Sequence, residues 1–114
     1  MGKYQIGEFE EIVLLTVAIL HGEAYGVSIR KEIEAKLDRK VSVGALQSCL
    51  DRLDKKGFVT SQDGEVTSDR GGRPKRYFQI TVSGKKALES TKEMRNSLWD
   101  SIPQVILDLK MSGV

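Results

Sequence analysis

The 114-residue chain holds one cysteine, one histidine, one tryptophan and two prolines. A lone cysteine, Cys49, cannot close a disulfide within the chain, and it fits a reducing cytosol. One cysteine and one histidine, His21, are too few for a zinc site of ordinary type. As a nucleophile–base pair they would have to touch, and Cys49, next to Leu50 in a helical stretch, reads as packing. No glycine-rich loop lies between a strand and a helix to cradle a nucleotide's phosphates; Gly71-Gly72 sits inside a hairpin. The expectation is no catalytic residue, no metal and no cofactor, and an enzyme is the least favoured class. Long apolar runs are also missing. The longest, Ile12 to Leu20, is far short of the roughly 20 residues that span a bilayer, so no membrane partner is expected. The first residues show no basic region followed by an apolar stretch and a cleavage site, and the expected compartment is cytoplasmic.

Hydrophobic residues make up 39% and charged residues 30%, the balance of a soluble globular chain. A chain of this length forms one compact unit that buries roughly two thirds of its unfolded surface. The net charge of +2 is unevenly spread. Residues 39–86 carry eleven Lys/Arg against five Asp/Glu, whereas the remainder is acidic by four charges. A basic middle between acidic ends suggests a surface that faces a polyanion.

Apolar spacing predicts three helices in succession. The first runs from Glu8 to Leu20, with Phe9, Ile12, Val13, Leu15, Thr16, Ile19 and Leu20 on a wide apolar face. Glu8, Glu10 and Glu11 suit its N-terminal dipole end, and His21-Gly22 is its stop. The second runs from about Tyr25 to Leu37 on the spacing of Ile29, Ile33 and Leu37. In the third, Ser42 can cap, Val43, Leu46, Leu50 and Leu53 form the buried stripe, and Gly57 ends the helix after two lysines. Its other face shows Ala45, Gln47, Ser48, Asp51 and Arg52. Two β-prone runs follow, "FVTSQ" and "RYFQIT", joined by "DGEVTSDRGGRPK", a hairpin with a long tip. From Thr81 to Lys110 the spacing of Ala87, Thr91, Met94, Leu98, Ile102, Val105 and Leu109 predicts mostly one long helix. Thr81 or Ser83 caps it, Pro103 breaks or kinks it, and Ser101 can cap a second segment there. The predicted fold is mainly α with a small β-hairpin: a winged helix-turn-helix over residues 1–81, then a C-terminal dimerisation helix over 82–114. One small domain cannot cover that last stripe, and the simplest cover is a second copy of the chain.

Each candidate site has a plainer alternative. Arg70, Arg73, Lys75 and Arg76 lie on a tip hinged by Gly71 and Gly72, where arginine forks can grip phosphate or enter a minor groove. The alternative is a solvated basic hairpin; the element order ahead of it favours nucleic acid. In the third helix, Ser42, Gly44 and Ala45 are small enough to enter a major groove, and Gln47, Ser48 and Arg52 can reach base edges or phosphates. Taken alone, that surface reads better as the polar outer face of an ordinary amphipathic helix. Tyr25 is either a phosphate donor at a helix start or an aromatic packed on the first helix. Trp99 either packs between protomers or lines a pocket for a flat aromatic ligand. The rival function is a protein-interaction module whose hairpin grips an acidic partner. Basic charge along both the third helix (Arg52, Lys55, Lys56) and the wing favours a duplex.

The blocks "GEFEEIVLLTVAIL", "AYGVSIRKEIE", "VGALQSCLDRLDKKGFV", "RGGRPKRYFQIT" and "SGKKAL", in that order, resemble PadR-family transcriptional regulators of the short type with a single C-terminal helix. The resemblance covers about Gly7 to Leu88. It implies a homodimeric repressor with helix 42–56 in the major groove of double-stranded DNA and wing 64–76 on the backbone or minor groove. By that pattern Tyr25, the Ser42 to Arg52 face and the block from Arg70 to Tyr77 contact DNA. It also implies a small aromatic effector, and dimer contacts through the first and last helices; Phe9, Ile12, Met94, Leu98, Trp99, Ile102, Val105, Ile106 and Leu109 are the candidates. Two departures stand out. The family usually has tyrosine where this chain has Gln47, and glutamine can pair in bidentate fashion with adenine. The tryptophan of the small multidrug-sensing members lies about one turn before Trp99, so their drug site is not carried over.

Overall fold

The computed structural model describes residues 3–66 and 74–110. The chain runs through α1 (Glu8–Ile19), α2 (Gly26–Leu37), α3 (Val43–Lys55), β1 (Val59–Val66), β2 (Pro74–Ile80), α4 (Val82–Asp100) and α5 (Gln104–Leu107). This is the expected order of three helices, a hairpin and a C-terminal helical segment.

Local chemistry sets the boundaries. At α1 the Glu10 carboxylate reaches back to accept the Gly7 N–H at 2.8 Å, which satisfies a donor that the helix start leaves open. Ser28 Oγ accepts the Tyr25 N–H at 2.9 Å and so closes the start of α2. The Ser42 hydroxyl accepts the Ala45 N–H at 3.1 Å at the head of α3, and Gly57, at φ +78°, turns the chain out of it. Thr81 caps α4 by accepting the Gly84 N–H at 3.0 Å, while its own hydroxyl donates to the Gly57 carbonyl at 2.6 Å. One threonine thus ties the hairpin's two ends together.

α1 lies at the centre, in contact with α2, α3, β2 and α4. Val13, Leu14 and Val17 meet Ile29 and Ile33 of α2, and Leu46, Cys49, Leu50 and Leu53 of α3, in one core that Phe58, Val59, Phe78 and Ala87 close. β1 and β2 pair antiparallel from Val59 opposite Ile80 to Asp63 opposite Arg76. The register shifts before Val66 meets Pro74. Pro74, with no donor, begins its strand, where none is lost from the ladder. The hairpin is anchored by the Phe78 N–H donating to the Ala24 carbonyl at 2.8 Å.

Four sequence expectations need correction. The strands are longer than the two β-prone runs, so residues 63–66 and Pro74-Lys75 belong to the ladder and not to the tip. Val43 does not join the buried stripe. It stands 64% exposed on the first residue of α3, and the core positions there are taken by Val41 before the helix and Leu46 one turn in. Leu15 and Ile19 of α1 are largely exposed as well. The C-terminal helix breaks at Pro103 as expected, but Ser101 is the C-cap of α4 and does not cap the second segment. α4 ends at Asp100, the Ser101 hydroxyl donates back to the Ser97 carbonyl, and Pro103 is the N-cap of the short α5. The residue before a proline is biased away from helix, and the fixed φ of −62° at Pro103 suits a cap.

Candidate nucleic-acid interface

The N-terminal half of α3 presents Ser42, Gly44, Ala45, Gln47 and Ser48 to solvent, all exposed, with Leu46 between them turned into the core. A Cβ added at Gly44 meets nothing within 4 Å, so this end is open to the approach of another molecule. The Gln47 amide donates to Asp51 Oδ1 at 3.0 Å, one turn along. That contact lays the amide along the helix. It also sets an acidic group in the middle of the outer face, and Asp51 is absent from the set expected at the interface. A carboxylate there repels phosphate and can accept from a cytosine amine.

The hairpin lies beside this helix in sequence and is joined to α2 by aromatic packing. The Tyr25 and Tyr77 rings meet edge to face, 5.5 Å apart at 66°. The Lys75 ammonium sits 4.4 Å over the Tyr25 ring, a cation–π contact. Tyr25 therefore packs on the wing rather than on α1, and it brings Lys75 and Tyr77 of β2 to the start of α2. Gly64 completes this arrangement. A Cβ at Gly64 would collide with the Tyr77 ring, so this strand glycine serves close packing. Arg76 lies across the ladder from Asp63 at 3.9 Å with both side chains more than 60% exposed, a contact of little energetic weight. Arg70, Gly71, Gly72 and Arg73 lie outside the described residues.

At the other end of α3 stand Arg52, which the sequence places on the outer face and whose side chain is 53% exposed, and Lys56. Both turn to Glu10 of α1. The Lys56 ammonium stands 2.8 and 3.0 Å from the two carboxylate oxygens, and Arg52 Nε is 3.9 Å from one of them. Burial raises the Glu10 pKa, but the Gly7 N–H, Lys56 and Arg52 together outweigh it and hold the carboxyl below its ordinary value. Sequence reasoning assigned Glu10 only a helix-dipole role, since its partner is 46 residues away. Cys49, one turn before Arg52, is fully buried, and burial is the main force raising its thiol pKa to about 11. It is a packing residue with little thiolate at neutral pH.

The expected dimer residues are distributed over two surfaces. Met94, Leu98 and Trp99 of α4 are 55%, 64% and 66% exposed. Val105, Ile106 and Leu109 beyond Pro103 are exposed too, and Ile102 is half-buried. Phe9 and Ile12 are half-buried against the core of their own protomer. Ile12 also joins Leu15, Ile19, Ile33 and Leu37 in lining an apolar groove between α1 and α2. Among the described residues no group of three His, Cys, Asp or Glu could hold a metal ion, and no helix is long and apolar enough to cross a membrane.

Three stacked helices, a capped and open-ended third helix and a two-stranded wing define a winged-helix protein of the nucleic-acid-binding kind. The pattern described as the transcriptional regulator PadR-like family matches residues 14–90, and the chain belongs to that family of transcriptional regulators. Solved structures agree on the fold. A PadR-like transcription factor from Bacteroides fragilis is 23% identical, covers 85% of this chain and 88% of its own, and has a TM-score of 0.71. A transcriptional regulator from Clostridium thermocellum is 26% identical over 89% of this chain and 92% of its own, with a TM-score of 0.67. A PadR family regulator from Clostridium difficile is 24% identical over 83% and 97%, with a TM-score of 0.64. Comparison with the curated proteins returned no match.

Proposed function

We propose that the protein is a cytoplasmic homodimeric repressor that binds a specific operator in double-stranded DNA. Residues 1–81 form the DNA-binding unit and 82–114 the dimerisation segment. α3 enters the major groove and offers Ser42, Gly44, Ala45, Gln47 and Ser48. The wing, with Arg70, Gly71, Gly72, Arg73, Lys75, Arg76 and Tyr77, lies on the backbone or minor groove, and Tyr25 stands by it as a phosphate donor. The observation that carries this reading is the small, polar and open N-terminal half of α3, followed in the chain by a hairpin whose sequence holds Arg70, Arg73, Lys75 and Arg76. Two copies join by laying the exposed apolar face of α4 and α5 on the partner's α1 and its apolar groove. Trp99 then lies at or near the joint, where a small aromatic effector would stack on it and loosen the operator complex.

The test is a selection of bound duplexes from a random pool at about 150 mM salt. The expected product is a palindromic consensus with half-sites about one helical turn, roughly 34 Å, apart. A folded dimer that enriches no sequence would favour the interaction-module reading. Binding should weaken with salt on a log–log slope of about −0.9 per phosphate neutralised. Arg76→Ala is expected to weaken selected and random duplexes alike and to flatten that slope by about one phosphate, whereas Gln47→Ala should change which sequence is preferred. Identical behaviour of the two variants on both duplexes would refute this division of roles.

A further inference from the structure

α3 has two chemically different ends. Its first two turns are small, polar and exposed, while its last turn carries Arg52, Lys55 and Lys56. From Ser42 to Lys56 the helix rises roughly 20 Å, so the two ends address different stretches of a duplex. Cations at the last turn would add phosphate contacts to any sequence. Each would steepen the salt dependence by about 0.9 and raise random binding along with specific binding.

The structure draws two of the three toward the protein, Lys56 closely and Arg52, whose side chain stays 53% exposed, at longer range. The Glu10 carboxylate, 10% exposed, accepts the Gly7 N–H at 2.8 Å and the Lys56 ammonium through both oxygens, with Arg52 Nε at 3.9 Å. One side chain thus joins the start of α1 to the last turn of α3. The neighbouring acids pair with other elements. Glu11 takes Arg95 of α4, and Glu8 takes Arg39 ahead of α3, whose guanidinium also covers the Phe9 ring at 5.4 Å. Of the three, only Glu10 is buried and bears on the recognition helix itself.

We infer that Glu10 is a positioning residue for operator recognition: it locks the last turn of α3 against α1 and keeps Lys56 and Arg52 turned onto the protein, away from phosphate. The inference rests on the DNA-binding reading above. It makes sequence preference depend on a carboxylate that touches no base.

The experiment measures binding against salt for the full chain, on the selected duplex and on a random duplex of equal length. Glu10→Gln is expected to steepen the slope on the random duplex by about 0.9 for each cation released, up to about 1.8. The ratio of selected to random affinity should fall at least about threefold. Adding Lys56→Met to Glu10→Gln should remove about 0.9 of that steepening. A merely structural role would weaken binding without steepening the slope. Lys56→Met in the otherwise unchanged protein should leave the slope as it is, and this variant decides the matter where Glu10→Gln does not fold. A folded Glu10→Gln protein with the parental slope overturns the inference. So does a Lys56→Met protein whose slope is shallower by about 0.9, since Lys56 would then already be on phosphate. Unaltered protein that binds no duplex overturns the DNA reading and this inference with it, whereas a Glu10→Gln protein that binds the duplex with the parental slope overturns this inference alone.

Discussion

Leu98→Glu is expected to turn the protein into a monomer in sedimentation and to lower its affinity for a two-half-site duplex by a hundredfold or more. Leu98 is 64% exposed on α4, between Met94 and Trp99, and the protomer's own core does not need it. The fold should survive the change, with unaltered helical content. In the proposed dimer the same position faces apolar surface, where an unpaired carboxylate loses its water and gains no partner. Each protomer alone covers one half-site. Two linked half-sites gain about 10²–10⁴ in avidity over one, and that factor disappears with the dimer. A Leu98→Glu protein that stays dimeric, or a monomer that binds the full site with parental affinity, would exclude this face as the joint. The single half-site should bind the variant and the parent equally.

A second large effect is expected inside the protomer, at Gly84. This buried glycine lies in the first turn of α4, where the helix crosses the end of the hairpin. An added Cβ would collide with the Phe58 carbonyl oxygen and lie 2.8 Å from Ile80 Cγ1. The Phe58 carbonyl accepts the Thr81 N–H at 3.0 Å, and Gly84's own N–H is held by Thr81 at 3.0 Å. Both sides of the contact are hydrogen-bonded backbone and neither can give way cheaply. Overpacking of this kind costs about 1–3 kcal/mol. With both sides fixed, Gly84→Ala belongs at the upper end of that range, which corresponds to a fall of roughly 10–20 °C in melting temperature for a domain of this size. Gly44→Ala is the internal comparison. It meets nothing within 4 Å, and alanine is the better helix former by about 0.8–1 kcal/mol, so its melting temperature should rise by a few degrees. Equal melting of the two variants would show that the contact at Gly84 relaxes freely.

These two glycines mark where sequence reasoning reaches its limit. Both stand in the first turn of a helix behind a hydroxyl cap, and the residue pattern around them does not tell them apart. The difference lies in Phe58, which precedes Gly84 by 26 residues and returns to it only through the hairpin. Gly64 is similar. It reads as part of a loop, yet the Tyr77 ring across the ladder is what leaves no space for a side chain. Tyr25 read as a phosphate donor or as packing on α1, and its ring packs not on α1 but on Tyr77 and Lys75, 50 residues or more along the chain.

What the sequence determined by itself is whatever depends on near neighbours. Helix periods, the Ser42 and Thr81 caps, the break at Pro103, the order of helices and hairpin, and the family blocks are all patterns within a few residues, and each was legible. So was the surplus apolar stripe from Met94 to Leu109, because one protomer of this length has no surface left to cover it. Tertiary structure alone decided which members of a pattern serve which purpose. Glu8, Glu10 and Glu11 are equivalent as dipole partners at a helix start. Only Glu10 is carried under the last turn of α3, where low exposure strengthens its attraction for Lys56 and Arg52. A charge's partner is set by distance in space, and the 46 residues between Glu10 and Lys56 are closed only when α1 and α3 pack across a shared core.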